Sequence, residues 1–304
     1  MKAFVTGASG FVGTWLCDHL RACGDEVVVP QVGFDLTDPD SVRHGLVEAQ
    51  PDAVFHLGAR SHVGESWQEP AGTFKVNATG TLHVLDAALA CDAPPTVLLV
   101  SSSEVYGTVS QDEVPVSEGS ALRPVTPYAA SKVAAEYLGV QAYLGTKLPV
   151  VISRSFNHVG PGQAPNFAVS AFAKRIVDAK AQNKKSLAVG NLDARRDFTD
   201  VRDVVRAYRM LVERGTPGEV YNVCSNKDVS IGEIADSLLR LSGIDARFEV
   251  DPSLLRPVEL PLLTGDNSKI VESIGWRPEI SLDQTLRDTL DYWHQRSSFG
   301  GDGR

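Results

Sequence analysis

Tyr128 and Lys132 are the residues whose types and spacing most directly suggest chemistry. They stand four positions apart in the stretch Thr126-Pro127-Tyr128-Ala129-Ala130-Ser131-Lys132. Proline suits the first turn of a helix and Thr126 can cap it, so the two side chains are expected to share one helical face. A lysine cation beside a tyrosine favours the phenolate and lowers a pKa that starts near ~10. The pair is therefore predicted to exchange a proton with an alcohol or a ketone, although a packed ring beside a solvated amine has the same spacing.

Hydroxyl groups follow another predicted element, the continuous apolar strand from Thr96 to Val100. That strand ends in Ser101-Ser102-Ser103-Glu104-Val105-Tyr106-Gly107. Hydroxyls at the C-terminal end of a strand can donate a hydrogen bond to a substrate carbonyl. A polar strand end that faces solvent has the same composition, so the position of these serines in the fold must decide between the two interpretations.

A glycine pattern near the start of the chain predicts where a cofactor binds. Lys2 to Thr6 is a short strand pattern, and a helical pattern runs from Thr14 to Leu20. Between them lies Gly7-Ala8-Ser9-Gly10-Phe11-Val12-Gly13. Strand, glycine turn and helix form the context in which G-x-x-G-x-x-G holds a pyrophosphate at a helix N-terminus. The sequence predicts a dinucleotide here, and a glycine-rich turn without a ligand is the alternative.

The second predicted strand, Glu26 to Val29, leaves the choice between NAD and NADP open. At its end an acidic residue typically holds the ribose 2′-hydroxyl, whereas an arginine receives a 2′-phosphate. This chain has Pro30-Gln31-Val32-Gly33 instead. The absence of a carboxylate removes a group that would repel a 2′-phosphate, which slightly favours NADP. Asp35 follows, and it is expected either to meet an adenine edge or to act as a cap before the helix that opens near Pro39.

The third predicted strand, Asp52 to Leu57, leads into residues that face the same crevice. Ligands of an open parallel sheet lie beyond the C-terminal ends of its strands, and Gly58-Ala59-Arg60-Ser61-His62 follows this strand directly. His62 is expected to touch a substrate or, equally, to make a structural hydrogen bond within its loop.

The alternation of strands and helices predicts an α/β fold with a doubly wound parallel sheet of the Rossmann type. Residues 1–155 are predicted to form this dinucleotide-binding domain, and residues 199–224 are expected to return to it. Residues 156–198 and 225–296 are predicted to form a smaller α/β substrate-binding lobe. The glycine-rich stretch 297–304 is predicted to be a disordered tail.

Two arginines of the second half, Arg195 and Arg196, are candidates for a diphosphate clamp. Guanidinium groups bind phosphate oxygens in a bidentate way, and an acidic protein needs local cations for such a ligand. A surface of self-paired Arg and Asp ions is the alternative, which also describes Arg202 and Asp203.

Two further segments of the second half indicate a ligand-binding segment and the start of a helix. The segment Leu255 to Pro261 carries Arg256 and Glu259, one cation and one anion suited to a phosphate and a ribose diol. Ser281-Leu282-Asp283-Gln284 matches the capping box of a helix N-terminus.

Composition excludes several classes of protein. The chain has 304 residues, 43% of them hydrophobic and 22% charged, with a net charge of −9. No apolar run reaches the ~20 residues of a membrane span, and no export leader is visible, so the cytoplasm is expected. The acidic balance repels phosphate backbones, which makes nucleic acid an unexpected partner. Cys17, Cys23, Cys91 and Cys224 lack zinc-like spacing and are predicted to be reduced residues of the core.

With these motifs in order, the chain resembles the extended short-chain dehydrogenase/reductases that modify nucleotide sugars. The resemblance runs from Lys2 to about Arg296. Within that family it is closer to enzymes of GDP-sugars, and the segments that carry this likeness are Phe156-Asn157-His158, Pro161-Gly162-Gln163, the run from Asn191 to Asp200, and Arg256-Pro257-Val258-Glu259. It implies an oxidoreductase that uses NADP or NAD on a nucleotide sugar.

The resemblance also implies roles for individual residues. The catalytic residues would be Ser102, Tyr128 and Lys132, with Glu104 as an additional base and Ser101 or Ser103 as other choices for the hydroxyl. The cofactor-binding residues would be Gly7, Ser9, Gly10, Phe11, Val12, Gly13, Asp35, Leu36, Leu57, Ala59, Tyr128 and Lys132. The substrate-binding residues would be Ser61, His62, Asn157, Val189, Arg196, Arg256 and Glu259, with Lys185 to Val189 near the base.

Three reactions fit this resemblance. They are reduction of the C4 ketone of a GDP-4-keto-6-deoxy-hexose, 4,6-dehydration of GDP-mannose, and 4-epimerisation of a nucleotide sugar. The second-half motifs favour the first, whereas Ser61-His62-Val63 and Glu104 also look like a dehydratase. A catalytically silent nucleotide sensor is disfavoured because such a protein need not retain the proton donors. Family analogy alone implies a homodimer through the helix of Tyr128 and the helix from Asn77 to Ala90.

Overall fold

The structure, a computed structural model, describes residues 1–251 and 261–299. Its strands are β1 Lys2–Thr6, β2 Glu26–Val28, β3 Ala53–His56, β4 Thr96–Ser102, β5 Val150–Ser155, β6 Asn157–Val159, β7 Ser186–Val189, β8 Arg195–Asp200, β9 Val220–Val223, β10 Asp228–Ser230, β11 Arg247–Val250 and β12 Leu262–Leu263. Its α-helices are α1 Phe11–Ala22, α2 Pro39–Ala49, α3 Val63–Gln68, α4 Pro70–Phe74, α5 Gly80–Leu89, α6 Pro127–Thr146, α7 Ala168–Gln182, α8 Val201–Arg214, α9 Ile231–Ser242, α10 Ser268–Ile274 and α11 Leu282–Phe299. A π-helical turn spans Lys75–Thr79, and short 3-10 helices span Ser103–Tyr106 and Gln111–Glu113.

Six strands form one parallel sheet in the order β2-β1-β3-β4-β5-β9. The chain goes from β1 outward to β2 and then adds β3 on the other side of β1, so the winding reverses between β1 and β3. Such a switch point opens a crevice at the C-terminal ends of the strands, where ligands bind. Thr6 pairs with His56 at this point, so the residues that follow these two strands line the crevice.

Helices cover both faces of this sheet because its strands are apolar on both faces. In β1, Val5 faces a core that contains Leu16 of α1 and Val204 of α8. The neighbouring Phe4 faces the opposite core, which contains Leu46 of α2. Alternate side chains of one strand thus enter two cores. This is the doubly wound α/β arrangement, and the prediction of the fold class is confirmed.

A smaller set of strands and helices surrounds a separate core. Strand β8 pairs with β10 in the antiparallel direction and with β12 and β6 in the parallel direction, while β7 pairs with β11. Helices α7, α9 and α11 contribute Ile176, Leu238 and Leu290 to the core. The chain then returns, because β9 pairs with β5 at the edge of the large sheet. The exact division into domains stays a prediction.

The helical region around Asn77 differs from the sequence prediction. A helix from Asn77 to Ala90 was expected, but helical residues begin at Pro70 and pass through the π-helical turn before α5 ends at Leu89. The side chain of Asn77, in the wider turn, accepts from the backbone nitrogen of Arg60 at 2.8 Å and donates to its carbonyl oxygen at 3.0 Å. This partner is distant in sequence, so the helical pattern alone did not reveal it.

The C-terminal helix α11 departs from the prediction at both ends. The backbone nitrogen of Gln284 donates to the Ser281 hydroxyl at 3.3 Å, but the Gln284 side chain binds Asp288 at 2.6 Å instead of returning to Ser281. Only half of the predicted capping box therefore forms. At the other end α11 continues to Phe299, into the stretch that was predicted to be disordered. Residues 300–304 lie outside the described residues.

One of the four cysteines differs from the prediction. Cys17, Cys91 and Cys224 are buried free thiols, whereas Cys23 is exposed, so the prediction that all four are core residues is wrong for Cys23. Its place just after α1 turns it towards solvent.

Within the part of the chain that the structure describes, none of the helices combines the length and hydrophobicity of a membrane span.

Candidate active site

The glycine turn lies between the C-terminal end of β1 and the start of α1. Gly7 has a φ of +72°, and a Cβ there would lie 2.8 Å from the backbone nitrogen of Gly58. A Cβ on Gly13 would lie 2.1 Å from the carbonyl oxygen of Gly7. The Gly10 amide donates to that same oxygen at 3.0 Å. The turn has no room for side chains at these positions, so the backbone can approach a pyrophosphate at the N-terminus of α1. This geometry fits the dinucleotide that the pattern predicts.

A cavity of about 490 Å³ extends from the glycine turn towards the end of β2. Ser9 lines it from the turn, Gln31 from beyond the strand and Arg21 from α1. The residues that follow β2 include no nearby cation, since Pro30-Gln31-Val32-Gly33 stands there. Arg21 supplies one from the helix, with its guanidinium 3.3 Å from Asp18. Sequence reasoning missed Arg21 because only the fold brings α1 beside the end of β2.

Asp35 and Leu36 lie in the turn that precedes α2. The Asp35 carboxylate accepts hydrogen bonds from the backbone and the hydroxyl of Thr37, at 2.8 and 3.0 Å. These bonds hold the pKa of Asp35 below its ordinary value. The cap of α2 is Asp38, which accepts from the Asp40 amide at 3.1 Å. The Leu36 side chain is close to Gly58, where a Cβ would lie 2.8 Å from Leu36 Cδ1. The adenine contact of Asp35 stays a prediction.

Helix α6 begins as the sequence predicted. Thr126 accepts a hydrogen bond from the backbone nitrogen of Ala129 at 3.0 Å, and proline occupies the first turn. The phenol of Tyr128 is buried and shares a hydrogen bond with the side chain of Ser102, the last residue of β4. Ser101 instead donates to the carboxylate of Glu136 at 2.5 Å. The structure therefore brings Ser102 to Tyr128 and gives Ser101 a different partner.

The protonation of Tyr128 differs from the prediction. Burial raises the pKa of Tyr128 to about 12, although the hydrogen bond with Ser102 acts in the lowering direction. The Lys132 ammonium group donates to the carbonyl of Val100 at 2.8 Å, whereas the groups that act on the Tyr128 pKa besides burial are Ser102 and Glu104. Burial lowers the pKa of Lys132 itself to about 8, against the raising influence of Glu136. The expectation that Lys132 makes Tyr128 acidic is wrong in this structure, because loss of hydration dominates.

Glu104 lies in the 3-10 helix that follows β4 and is close enough to Tyr128 to act on it. Its backbone nitrogen donates to the Ser102 hydroxyl at 3.2 Å. Its charge raises the pKa of the Tyr128 phenol, in addition to the larger effect of burial. A carboxylate, a hydroxyl and a phenol thus converge at the end of β4.

A buried ion pair lies directly behind this end of β4. Arg154 of β5 donates to both carboxylate oxygens of Glu136, with its Nη2 at 2.7 Å and its Nε at 3.1 Å from them. The two side chains are only 6% and 3% exposed. Arg154 also donates to the Tyr106 hydroxyl at 3.2 Å, and that hydroxyl donates to Asn222 of β9 at 2.6 Å. Sequence reasoning missed Glu136 and Arg154, since charged residues of a helix and a strand give no sign that they meet.

The loop after β3 places its predicted residues differently. Leu57 and Ala59 are half-buried, while Ser61 is exposed. The backbone of Leu57 lies beside Gly7 of the glycine turn. His62 caps α3 by accepting from the backbone nitrogen of Glu65 at 3.1 Å, and its ring meets the edge of Phe167 at 6.2 Å. The structural hydrogen bond, one of the two expectations for His62, is thus present. Its contact with a substrate stays a prediction.

Aromatic contacts join the glycine turn to the segment after β6. The Phe11 ring stacks on the His158 ring, with centroids 6.2 Å apart and planes inclined by 18°. The Trp15 indole nitrogen donates to the carbonyl of Pro161 at 2.9 Å. Burial lowers the pKa of the His158 imidazole, because loss of hydration disfavours its charged form. The contacts place Asn157 and His158 beside the cofactor-binding turn.

The two candidate clamp arginines have different surroundings. Arg195 pairs with Asp228 and, at 3.2 Å, with Glu233, so its guanidinium belongs to a set of self-paired ions. Arg196, on the other face of β8, donates to the carbonyl of Arg195 at 2.8 Å. Arg202 binds Asp200 and Asp288, each at 2.7 Å, which confirms the self-paired alternative for Arg202.

The remaining predicted substrate residues lie in or near the smaller core. Asn157 is half-buried at the start of β6. Val189 is fully buried among apolar residues at the end of β7, and its carbonyl accepts from Asp251 at 2.7 Å. Arg256 and Glu259 lie outside the described residues.

A switch-point crevice with a glycine turn on one side and a serine, a tyrosine and a lysine on the other defines an extended short-chain dehydrogenase/reductase. The family model for GDP-mannose 4,6 dehydratase matches residues 29–289. The chain belongs to that family, and the resemblance found in its sequence is confirmed.

Three known proteins show how far the similarity extends. The GDP-6-deoxy-D-mannose reductase of Pseudomonas aeruginosa is 38% identical over 298 residues, which is 97% of this chain and 98% of the relative. A GDP-mannose 4,6-dehydratase of Vibrio cholerae is 28% identical over 347 residues, covering 95% of this chain and 92% of the relative. A solved structure of RMD from Pseudomonas aeruginosa complexed with NADPH has a TM-score of 0.90 and 37% identity, covering 97% of this chain and 99% of that chain.

Proposed function

We propose that this enzyme reduces the C4 ketone of a GDP-4-keto-6-deoxy-hexose with NADPH or NADH, to give a GDP-6-deoxy-hexose of the GDP-D-rhamnose type. The observation that carries this proposal is the difference between two alignments. The alignment with the reductase spans 298 residues and covers nearly the full length of both chains. The dehydratase aligns over 347 positions, more than the 304 residues of this chain. The dehydratase therefore has internal segments that this chain lacks.

Tyr128, Ser102 and Lys132 are the proposed proton-handling groups. When bound, the nicotinamide supplies the hydride. Tyr128 donates a proton to the oxygen that was the C4 ketone, and Ser102 donates a hydrogen bond to the same oxygen. Lys132 contributes a positive charge on the same side of α6 and is proposed to hold the nicotinamide ribose.

The protonation state of Tyr128 is compatible with this reaction. Burial raises the pKa of Tyr128 to about 12, so the phenol is protonated at neutral pH. A protonated phenol is the form that a ketone reductase needs at the start of its reaction, whereas alcohol oxidation needs the phenolate.

Substrate and cofactor contacts complete the proposal. Arg196 and Asn157 are proposed to bind the GDP diphosphate and its ribose, with Arg256 and Glu259 from the segment outside the described residues. Ser61 and His62 are proposed to face the sugar. The cavity between the glycine turn and β2 is lined by both Arg21 and Asp18 of α1, which pair with each other. The absence of a carboxylate at the end of β2 is what supports NADPH slightly over NADH.

A coupled assay tests the activity. Supplying GDP-4-keto-6-deoxymannose with NADPH, and separately with NADH, should consume the cofactor, which is followed by its absorbance. Tyr128→Phe should bind NADPH as tightly as the wild type and lose at least about 100-fold in kcat, the usual contribution of general acid catalysis. Tyr143→Phe, on the same helix but far from the crevice, is the matched control. Full turnover in Tyr128→Phe would refute the assignment.

A GDP-mannose 4,6-dehydratase is the second candidate, and Glu104 is the observation that favours it. A carboxylate beside Tyr128 suits removal of the C5 proton of a 4-keto sugar, which is a step of dehydration and not of reduction. The test is to supply GDP-mannose without reductant and look for a 4-keto product. If product appears and Glu104→Gln abolishes it, dehydration replaces the reductase proposal. Other nucleotide-sugar dehydratases and 4-epimerases are tested by the same product analysis.

We also propose a homodimer, through an apolar face made of Phe74 of α4 with Tyr137 and Leu144 of α6. These side chains are 48%, 64% and 63% exposed. Helices α4 and α6 pack against each other, so the three side chains can contribute to one exposed apolar surface of the kind that marks an interface. Tyr137 and Leu144 are seven residues apart and share one side of α6. Helix α5, named in the sequence prediction, is mostly buried within the protein, so the proposed contact moves to α4 and α6.

Sedimentation tests the dimer. The wild type should sediment as a dimer at micromolar concentration, and Tyr137→Glu with Leu144→Glu should sediment as a folded monomer. Trp67→Glu, at another exposed aromatic side chain on α3, is the control for added charge. A monomeric wild type would remove this proposal and leave the catalytic one intact.

A further inference from the structure

A chain of hydrogen bonds runs beneath the cofactor crevice, at the switch point of the sheet. Thr6 and His56 are register partners at the ends of β1 and β3. The Thr6 hydroxyl lies 2.8 Å from Nδ1 of His56, and Nε2 of His56 lies 3.0 Å from the Thr81 hydroxyl. Thr6 is 0%, His56 4% and Thr81 2% exposed. The chain is therefore shielded from water along its length.

The partners at the two ends determine the position of every proton. The Thr81 hydroxyl lies 2.6 Å from the carbonyl oxygen of Asn77, and a carbonyl only accepts. The single proton of Thr81 is used there, so Thr81 must accept from Nε2–H of His56. In a neutral imidazole the other nitrogen then accepts, and it receives the proton of the Thr6 hydroxyl. The Thr6 oxygen remains free to accept from the Gly58 amide at 3.0 Å.

Each end of this chain holds a part of the active site. Gly58 is the residue against which the glycine turn closes, since a Cβ on Gly7 would lie 2.8 Å from its nitrogen. At the other end, the side chain of Asn77 donates to the Ser131 hydroxyl at 2.9 Å, and Ser131 donates to the carbonyl of Tyr128 at 2.7 Å. One polar connection thus joins the wall of the cofactor crevice to the first turn of α6.

We propose that His56 is a positioning residue of the cofactor crevice, held as the neutral Nε2–H tautomer so that Thr6 can fix Gly58 against the glycine turn. The inference rests on the cofactor site of the proposed function, but it concerns binding and not turnover. Burial lowers the pKa of His56 to about 3, with a smaller lowering effect from the charge of Lys132. Protonation of Nδ1 would turn the Thr6 proton away from His56 and disturb the acceptor that Gly58 uses.

The first test observes His56 directly in the wild-type protein without cofactor. In a 15N-labelled sample, the imidazole of His56 should show a protonated Nε2 and an unprotonated Nδ1 at both pH 7 and pH 5. An Nδ1–H tautomer, or an imidazolium at pH 6, would overturn the proposal. Because no substrate or turnover is involved, this result is independent of whether the reductase assignment holds.

The second test removes the acceptor for Gly58. Thr6→Val keeps the shape of the side chain and leaves both the Gly58 amide and Nδ1 of His56 without their Thr6 partner, which should weaken NADPH binding about tenfold in a calorimetric titration. Thr6→Ser restores the hydroxyl and should rescue the binding. In turnover assays the Thr6→Val effect should appear in the KM for NADPH more than in kcat.

The matched control is Thr289→Val in α11. Thr289 is also fully buried and also donates to a helix carbonyl, that of Thr285, at 2.7 Å, but its hydroxyl bonds within α11 and not to Gly58 or the glycine turn. It should bind NADPH like the wild type. Equal NADPH affinity of Thr6→Val and the wild type would overturn the proposal. If Thr6→Val does not fold, the tautomer measurement on the wild type still decides.

Discussion

Two buried polar networks support the C-terminal ends of the large sheet, and they use opposite electrostatics. The network of Thr6, His56 and Thr81 contains no charge, and each proton has one acceptor. The network of Glu136 and Arg154 is a bidentate ion pair almost without exposure to solvent. Loss of the Thr6 hydroxyl from the first leaves two neutral groups without that partner, the Gly58 amide and Nδ1 of His56. The second cannot lose one partner without leaving a buried, uncompensated charge. Loss of one residue should therefore destabilise the protein less in the neutral network than in the ionic network.

The largest expected effect is loss of one partner of the ion pair. Glu136→Gln should destabilise the protein by about 3–5 kcal/mol, because Arg154 is left charged and buried. The double variant Glu136→Gln with Arg154→Met removes both charges and should recover most of that loss. Urea unfolding of the wild type and the variants measures the free energies. A single variant as stable as the double variant would show that the ionic network behaves like the neutral one.

An intermediate effect should come from acid. The pKa of His56 is near 3 in the folded protein and near 6.5 when unfolded. Between these values the unfolded chain binds more protons, so stability decreases as pH falls from about 6.5 towards 3. The facing groups are the hydroxyls of Thr6 and Thr81, with Lys132 as the nearby cation on α6. Protonation of this single histidine in the unfolded chain should lower the free energy of unfolding by about 2 kcal/mol between pH 7 and pH 5.

The control for this pH effect is His56→Gln. Its unfolding free energy, measured in urea at pH 7 and pH 5, should change by about 2 kcal/mol less than that of the wild type. The same decrease in both proteins would mean that His56 titrates normally in the folded state. That result would also contradict its position in the neutral network.

The smallest expected effect comes from a third kind of polar contact, an exposed ion pair. Arg195 and Asp228 are 42% and 32% exposed on β8 and β10. Asp228→Asn should change stability by less than about 1 kcal/mol, and added salt should reduce the difference further. If Asp228→Asn lost as much stability as Glu136→Gln, burial would not explain the difference between the exposed and the buried ion pair.

Local signals in the sequence predicted much of the fold and of the site. The glycine turn is a short-range pattern, and the structure forms it with a positive φ at Gly7. The start of α6 depends on Thr126 and Pro127, which are adjacent in sequence to Tyr128. The doubly wound sheet follows from apolar strands that alternate with helices. Each of these features depends on residues that are close together in the chain, so the sequence alone was sufficient to predict it.

Features that depend on tertiary contacts were not predictable in this way. Glu136 and Arg154 meet across a helix and a strand, and His56 finds Thr6 and Thr81 on two other elements. The pKa of Tyr128 was predicted in the wrong direction, because helical spacing gives the neighbour at Lys132 but not the degree of burial. Arg195 and Arg196 were equivalent in sequence, and only the pairing of β8 with β10 separates their surroundings.

The return of the chain to the large sheet constrains how the molecule can be taken apart. After β5 the chain builds most of the smaller core and then comes back to place β9 on the open side of β5. A protease that nicks a loop between β6 and β8 would therefore not release a separate fragment. Both products would remain attached, because the C-terminal piece contributes an edge strand whose removal exposes the backbone of β5. Truncations that delete the second half should precipitate for the same reason.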